Sequence, residues 1–291
     1  MANPILSGIP AYVDQTKEEL ISKAVLGGDS AKLFNLMVGV KGATALHLLA
    51  TDVTLQDGKS CGFNAVGDQT ITERQLVPAT LKVNMEYCEK DFLGSYAAHN
   101  LRLAAGQETL PYEEKFIDEV IKAVNAKIEK MVFQGDTDNG AEFDGLIKIL
   151  TGSAKSASTG ATNWETVKNV YAAIPETEIA KDDCVIMVAP AFFRGLVQEL
   201  IAANLYHYNE NDGNGEIYLP GTNCKVMSRT GLAGTDHIIA GSLSNIFYGT
   251  DMEGDEEKFD FWYSKDDQLF KLNILFSAGV QVAYPDLMVL V

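Results

Sequence analysis

The sequence predicts an α+β protein, and three patterns point to that class. Apolar residues at spacings of three and four run through Phe116, Ile117, Val120, Ile121, Val124, Ile128 and Met131, the signature of one long amphipathic helix. Period-two alternation fills Leu81, Val83, Met85 and Tyr87 near the start and Phe270, Leu272, Ile274 and Phe276 near the end. Between them, a fully apolar stretch from 184 to 189 runs straight into Pro190 and a second helical pattern.

The first helix signal is Thr16-Lys17-Glu18-Glu19, in which the Thr hydroxyl can accept a backbone N–H while Glu19 reaches back. Leu20, Ile21, Ala24 and Val25 supply an apolar face and Gly27-Gly28 stops the helix, giving a short helix within an N-terminal arm, residues 1–50. From 51 to 88 the pattern turns to strand, with turns expected at Asp57-Gly58 and Gly67-Asp68. A two-stranded excursion has little core of its own, so it must lean on its own body or on a neighbouring subunit.

The long helix has Pro111 in its first turn and Gly135 beyond its end. Glu113 and Glu114 sit at the positive end of its dipole, Lys127 and Lys130 near the negative end. At 1.5 Å per residue it reaches roughly 35 Å, the proportions of a girder. A Ser-, Thr-, Ala- and Gly-rich stretch at 151–160 then marks a domain boundary. Thr162-Asn163-Trp164-Glu165 repeats the capping pattern ahead of Val167, Tyr171 and Ile174, and Pro175 ends that helix. Phe193, Leu196, Val197, Leu200 and Ile201 form the helix after Pro190. The tail reads as strands at 259–263, 270–276 and 280–284, the first two joined by a turn at Lys265-Asp266-Asp267-Gln268.

At 291 residues, 46% hydrophobic and 22% charged, the chain can bury a sizeable core. A net charge of -17 with no Lys/Arg cluster argues against a direct nucleic-acid ligand, although an acidic wall would keep an enclosed nucleic acid from adhering. Cys61, Cys88, Cys184 and Cys224 form no CxxC pair, so no zinc or redox motif is expected, and a reducing cytosol fits best. The start of the chain has no basic-then-apolar leader, and no apolar run reaches the ~18 residues a membrane span needs.

Signatures for nucleotide, dinucleotide, zinc-protease and serine-hydrolase chemistry are missing from the sequence, and no catalytic, cofactor or metal residue is assigned. Asp136-Thr137-Asp138-Asn139-Gly140 and Asn209-Glu210-Asn211-Asp212-Gly213 resemble calcium loops, but each places its Gly at the fifth position, not the sixth. They read as exposed turns. His47, His99, His207 and His237 are isolated in sequence, and the acidic run from Asp251 to Glu257 reads as a solvated loop. Tyr206 and Tyr208 flank His207 without nearby cations, which favours a core edge or subunit contact over base stacking.

Three segments carry a family resemblance: Phe133-Gln134-Gly135-Asp136-Thr137, Phe143-Asp144-Gly145-Leu146-Ile147, and the closing Gly279-Val280-Gln281-Val282-Ala283-Tyr284-Pro285-Asp286. Together with the order of parts, they resemble the HK97-like major capsid proteins of tailed bacteriophages. Tyr12-Val13-Asp14-Gln15, Lys23-Ala24-Val25-Leu26-Gly27 and the stretch from Leu55 to Phe63 look like capsid proteins of phages infecting gut Bacteroidota.

The resemblance implies an extended E-loop at 51–88, a peripheral domain with a spine helix at 89–150, an axial domain at 151–264, and strands at 265–291 returning to the peripheral domain. It implies a structural protein without cofactors that self-assembles into pentamers and hexamers of a virion shell, formed in the bacterial host cytoplasm. Scaffold, portal and decoration proteins would be its partners, DNA would be enclosed without sequence-specific binding, and no membrane would be involved. A scaffolding segment found in some relatives would be either separate or already removed. Expected subunit contacts are Leu55, Lys59, Phe63, Leu81, Val83, Tyr206 and Tyr208. Some relatives weld subunits by a Lys–Asn isopeptide bond, for which Lys59 is the placeable residue, with no Asn partner or catalytic Glu identified. An encapsulin-like nanocompartment shell shares the fold; an α/β enzyme around 185–201 would want glycines where Ala189-Pro190-Ala191 stands.

Overall fold

The computed structural model describes residues 4–55, 67–88, 95, 98–99, 101, 104, 112–140, 142–204, 215–251 and 258–291. The chain opens with helix α1 (Pro4–Leu26), followed by strands β1 (Asn35–Val38), β2 (Thr44–Val53), β3 (Gly67–Leu76) and β4 (Ala79–Cys88). The long helix α2 (Tyr112–Gln134) and short α3 (Leu146–Leu150) come next, then β5 (Lys155–Ser156), α4 (Asn163–Ala173), α5 (Glu176–Ile179), β6 (Cys184–Val188) and α6 (Pro190–Ala202). Strands β7 (Glu216–Tyr218), β8 (Lys225–Ser228), β9 (Ile239–Ser242), β10 (Ile246–Thr250), β11 (Lys258–Ser264), β12 (Leu269–Val282) and β13 (Val289–Leu290) complete it.

The first sheet is organised by β12. Residues 269–275 pair antiparallel with β11 and 278–282 with β10, while 269–278 also pair with β4. Because Ala278 faces both Thr250 and Ala79, β10 and β4 occupy opposite edges of β12. Strand β1 adds in parallel to β10. Phe270, Leu272, Ile274, Phe276, Ala278, Val280 and Val282 are all buried on one face, so the expected strands at 270–276 and 280–284 are one continuous strand ending at Val282. Helices α1 and α2 cover that face.

The N-terminal segment is not an extended arm. Ile9, Val13, Leu20, Ala24 and Val25 are at most 1% exposed, wedged between α2 and β11. The helix already runs before Thr16, which marks a kink (φ −116°, ψ 16°) and not a start. Its hydroxyl donates back to the Tyr12 carbonyl at 2.7 Å, and Glu19 pairs with Lys23 at 2.8 Å. The backward bond takes the hydroxyl that a forward cap would need. Gly27 and Gly28 end the helix as expected.

The second sheet has six strands in the order β5-β13-β9-β6-β8-β7. Strand β6 is buried along its whole length because both faces are covered. Cys184, Ile186 and Val188 face α4 and α6, while Val185 and Met187 join the core around α2. The cap at Thr162 forms as expected, with its hydroxyl accepting from Glu165 N at 3.1 Å.

Three boundaries shift from the sequence-based expectation. The hairpin consists of β2 and β3, paired from Thr44↔Leu76 to Val53↔Gly67, and not of residues 51–88. Strand β4 belongs to the first sheet, and Gly67-Asp68 lies within a strand; Asp57-Gly58 falls outside the described residues. Strands β10 and β11 also belong to the first sheet, so the middle unit gives way near Asn245 and not at 264. The last strand, β13, lies between β5 and β9 of the second sheet, where it shields Ile239 and Ala240.

Candidate assembly surface

Among the described residues, the hairpin is anchored at its base, and residues 69–73 and Leu49 are exposed. Leu46, Leu48 and Leu76 turn inward, and Leu76 is fully buried where Gly249 makes room: a Cβ on Gly249 would lie 2.6 Å from the Leu76 side chain. Gln281 donates to the Gln75 carbonyl at 2.6 Å, fixing the same end to β12. From Gln69 to Glu73 every residue of β3 is exposed. The pair Leu49↔Ile71 stands out on that stretch, 53% and 66% exposed, and Leu55 is 93% exposed. Beside it, His47 Nδ1 lies 3.1 Å from a Glu73 carboxylate oxygen across the strands.

The expected contact residues separate accordingly. Leu55 is on the exposed hairpin; Lys59, Phe63, Tyr206 and Tyr208 lie outside the described residues. Leu81 is 7% exposed inside the first sheet's own core, and Val83 is half-buried against that core. Leu81 therefore supports the subunit's interior and is not open to a neighbour, a correction that follows from β4 pairing with β12. Sequence reasoning missed Leu49 and Ile71. The legible signal was Ile71 as a lone apolar residue in Gln69-Thr70-Ile71-Thr72-Glu73, where burial of one face would call for several. Leu36 and Val38 on edge strand β1 are also exposed.

The end of α2 is clamped to the turn that follows β8 of the second sheet. Gln134 donates to the Gly231 and Ala233 carbonyls at 2.6 and 3.1 Å, and Gly145 N donates to the Gly135 carbonyl at 2.8 Å. A Cβ on Gly135 would meet the Phe143 carbonyl at 2.3 Å, and one on Gly145 would meet Gly135 N at 2.6 Å. Only glycine permits that approach. Thus the two Gly-containing segments singled out in the sequence are two halves of one backbone contact.

The same turn holds Lys148 among Asp136 at 2.5 Å, Asp144 at 2.8 Å and Asp138 at 3.4 Å. Lys148 holds the Asp136 carboxyl below its usual range, and Asp136 and Asp144 raise the ammonium of Lys148. Burial pushes Asp144 up, but donors from Lys148 and Thr137 outweigh it, and the net direction is down. The turn expected at 136–140 is thus centred on a lysine from α3. Elsewhere on α2, Glu129 is buried and accepts from Ser30 N at 3.2 Å and from the Ser30 hydroxyl. Burial pushes its carboxyl up, against Ser30 and Arg229.

Among the described residues no three His, Cys, Asp or Glu side chains are placed to hold a metal ion, and no helix is long and apolar enough to cross a membrane. His47 is paired with Glu73, His99 is buried against Tyr112, and His237 Nδ1 lies 2.9 Å from the Val291 carbonyl; His207 is outside the described residues.

No family model matches the sequence, and no curated protein matches it significantly. Solved structures do. A chain of the satellite phage P4 procapsid that includes size determination (Sid) protein aligns over 99% of this chain and 97% of its own, at 9% identity and a TM-score of 0.61. A chain from Gordonia phage Cozz aligns over 90% and 84%, at 12% identity and a TM-score of 0.59. The virus-like particle from Pyrococcus furiosus aligns over 94% and 96%, at 10% identity and a TM-score of 0.52. The fold is the HK97-like capsid fold.

Proposed function

We propose that this chain is the structural major capsid protein of a tailed bacteriophage, building pentamers and hexamers of itself into an icosahedral shell around DNA. The observation that carries this reading is the alignment of nearly the whole chain with a phage procapsid chain. The exposed hairpin supports it: Leu49, Ile71 and Leu55 stand out in solvent, while the described residues that pack inward, Leu46, Leu48 and Leu76, lie at or near its base. Burying an exposed Leu or Ile contributes about 1.5–3 kcal/mol. One such contact holds a neighbour weakly, but the same contact repeated around closed rings makes the assembly hard to dissociate.

In this reading β2 and β3 act as the E-loop across a neighbouring subunit, the first sheet with α1 and α2 forms the peripheral domain, and the second sheet with α4 and α6 forms the axial domain. The charge of -17 keeps packaged DNA from adhering to the wall. Scaffold, portal and decoration proteins would be further partners, and no residue is given a catalytic role.

A second reading, an encapsulin-like compartment enclosing protein cargo, is favoured by the likeness to the Pyrococcus furiosus particle. Negative-stain microscopy and ultracentrifugation of the purified chain test both. Closed shells or capsomer rings are expected, and a single-copy particle at high concentration overturns either reading. Gene neighbours separate the two: terminase, portal and protease for a phage, and a peroxidase or ferritin-like partner for a compartment.

A further inference from the structure

The four cysteines are scattered in sequence, yet two of them meet in the fold. Cys184 opens β6 and Cys224 immediately precedes β8, one position before the parallel pair Val185↔Lys225. Their side chains point to the same face of the second sheet, both fully buried, with Sγ atoms 3.0 Å apart across a sequence separation of 40. That distance is inside the contact distance of two non-bonded sulfurs and within reach of the ~2.05 Å bond of a disulfide, and neighbouring strands supply Cα separations that disulfides tolerate. Both thiols are free.

We propose that Cys184 and Cys224 are a dithiol site that is oxidised to an intrachain disulfide by a low-molecular-weight disulfide such as oxidised glutathione, stapling β6 to β8. The Cys184 thiolate attacks one sulfur of the small disulfide and expels a thiolate, forming a mixed disulfide. Cys224 then gives up its proton and attacks Cys184 Sγ, expelling the second thiolate. Two protein thiols become one disulfide, and one small disulfide becomes two small thiols carrying the two protons and two electrons. The hydrogen bond between the sulfurs lowers Cys184 against its burial and, together with burial, raises Cys224.

Access would come from a local opening at the strand ends, where Asn223 donates to Asp182 at 3.1 Å in an exposed bond and Asp183 accepts from the Ser242 hydroxyl and from Ser244 N at 2.5 and 2.9 Å. The bridge would close the segment carrying α6 and β7 into a loop and restrict the unfolded chain. This inference concerns the single subunit and holds whether or not the chain assembles.

The test treats the full-length chain with oxidised glutathione, quenches with acid, unfolds, alkylates free thiols with N-ethylmaleimide and maps the peptides by mass spectrometry. The expected product is a linked Cys184–Cys224 peptide that dithiothreitol resolves, with a thermal midpoint above that of the reduced chain. Full alkylation of both residues after oxidation, pairing with Cys61 or Cys88 instead, or an unchanged midpoint in the bridged chain would each overturn the proposal. Comparing oxidised and reduced wild-type chain needs no variant to fold. Cys224→Ser, where it folds, should lose the oxidant-dependent rise.

Discussion

Leu49 and Ile71 stand directly opposite one another across the β2–β3 ladder, and both side chains face solvent. Among the described residues neither is buried by the subunit's own fold, and under the proposed function their role lies between subunits. Ile71→Asp should leave unfolding of the isolated chain within about 0.5 kcal/mol of wild type, as expected of a surface change. It should also prevent closed particles from forming. Size-exclusion profiles and micrographs of the variant check this; normal shells would remove the hairpin from the contact.

Leu76 tests the other end of the ribbon. It is buried above Gly249 and Val40, so Leu76→Ala opens a cavity and should cost about 2–5 kcal/mol. The damage is local to the hairpin base, and limited proteolysis should cut within the hairpin before the rest of the chain. Uniform cleavage would show that the ribbon is held elsewhere.

Gly135→Ala places a methyl group 2.3 Å from the Phe143 carbonyl, which must move with its backbone. Such overpacking costs about 1–3 kcal/mol. The thermal midpoint of Gly135→Ala should fall, whereas Gly152→Ala, with open space at its Cβ but a positive φ of 78°, should report only backbone strain. A smaller loss at Gly135 than at Gly152 would contradict the close approach.

Glu129 sets an acid-side dependence. Its folded carboxyl titrates above the ordinary range because it is buried. A carboxyl raised by folding stabilises the protein most where it is protonated, below about pH 4, and that contribution is lost as pH rises through the folded value. Glu129→Gln stays neutral throughout. It should melt above wild type at pH 7 and converge with it near pH 4; thermal melts at both pH values decide, and an equal offset at both would point away from ionisation.

Elements whose apolar pattern matches the burial they receive were readable in the sequence. Strand β12 alternates because only one of its faces is covered, β6 is apolar throughout because both are, and α2 carries a stripe wide enough for α1 and the sheet. The hairpin was misplaced for the complementary reason. Alternating β4 looked like one of its strands, but that alternation reflects packing on β12's sheet, while the true strand β3 is polar because little lies beneath it. The two-residue link Val77-Pro78 between β3 and β4 gave no turn signal strong enough to separate them. At Thr16 a cap pattern occurred inside a helix already under way. Among the expected contact residues, Leu55 was legible as exposed, and Leu81 was not legible as buried, because an apolar position in a strand does not say which neighbour covers it. The meeting of Cys184 and Cys224 depends on strand order, which local sequence does not encode.

Helix α2 is pinned near both ends: Phe116 packs edge-on against Tyr87 and Phe261 with ring centres 5.1 and 6.0 Å away, and Gln134 is bonded to the turn at Gly231. A body so held behaves as a lever. A tilt of about 5° around one fastening moves the opposite tip by about 3 Å over a ~35 Å span. In the proposed shell, copies seated at places of unequal curvature would then swing one layer relative to the other while every ladder within each sheet stays intact.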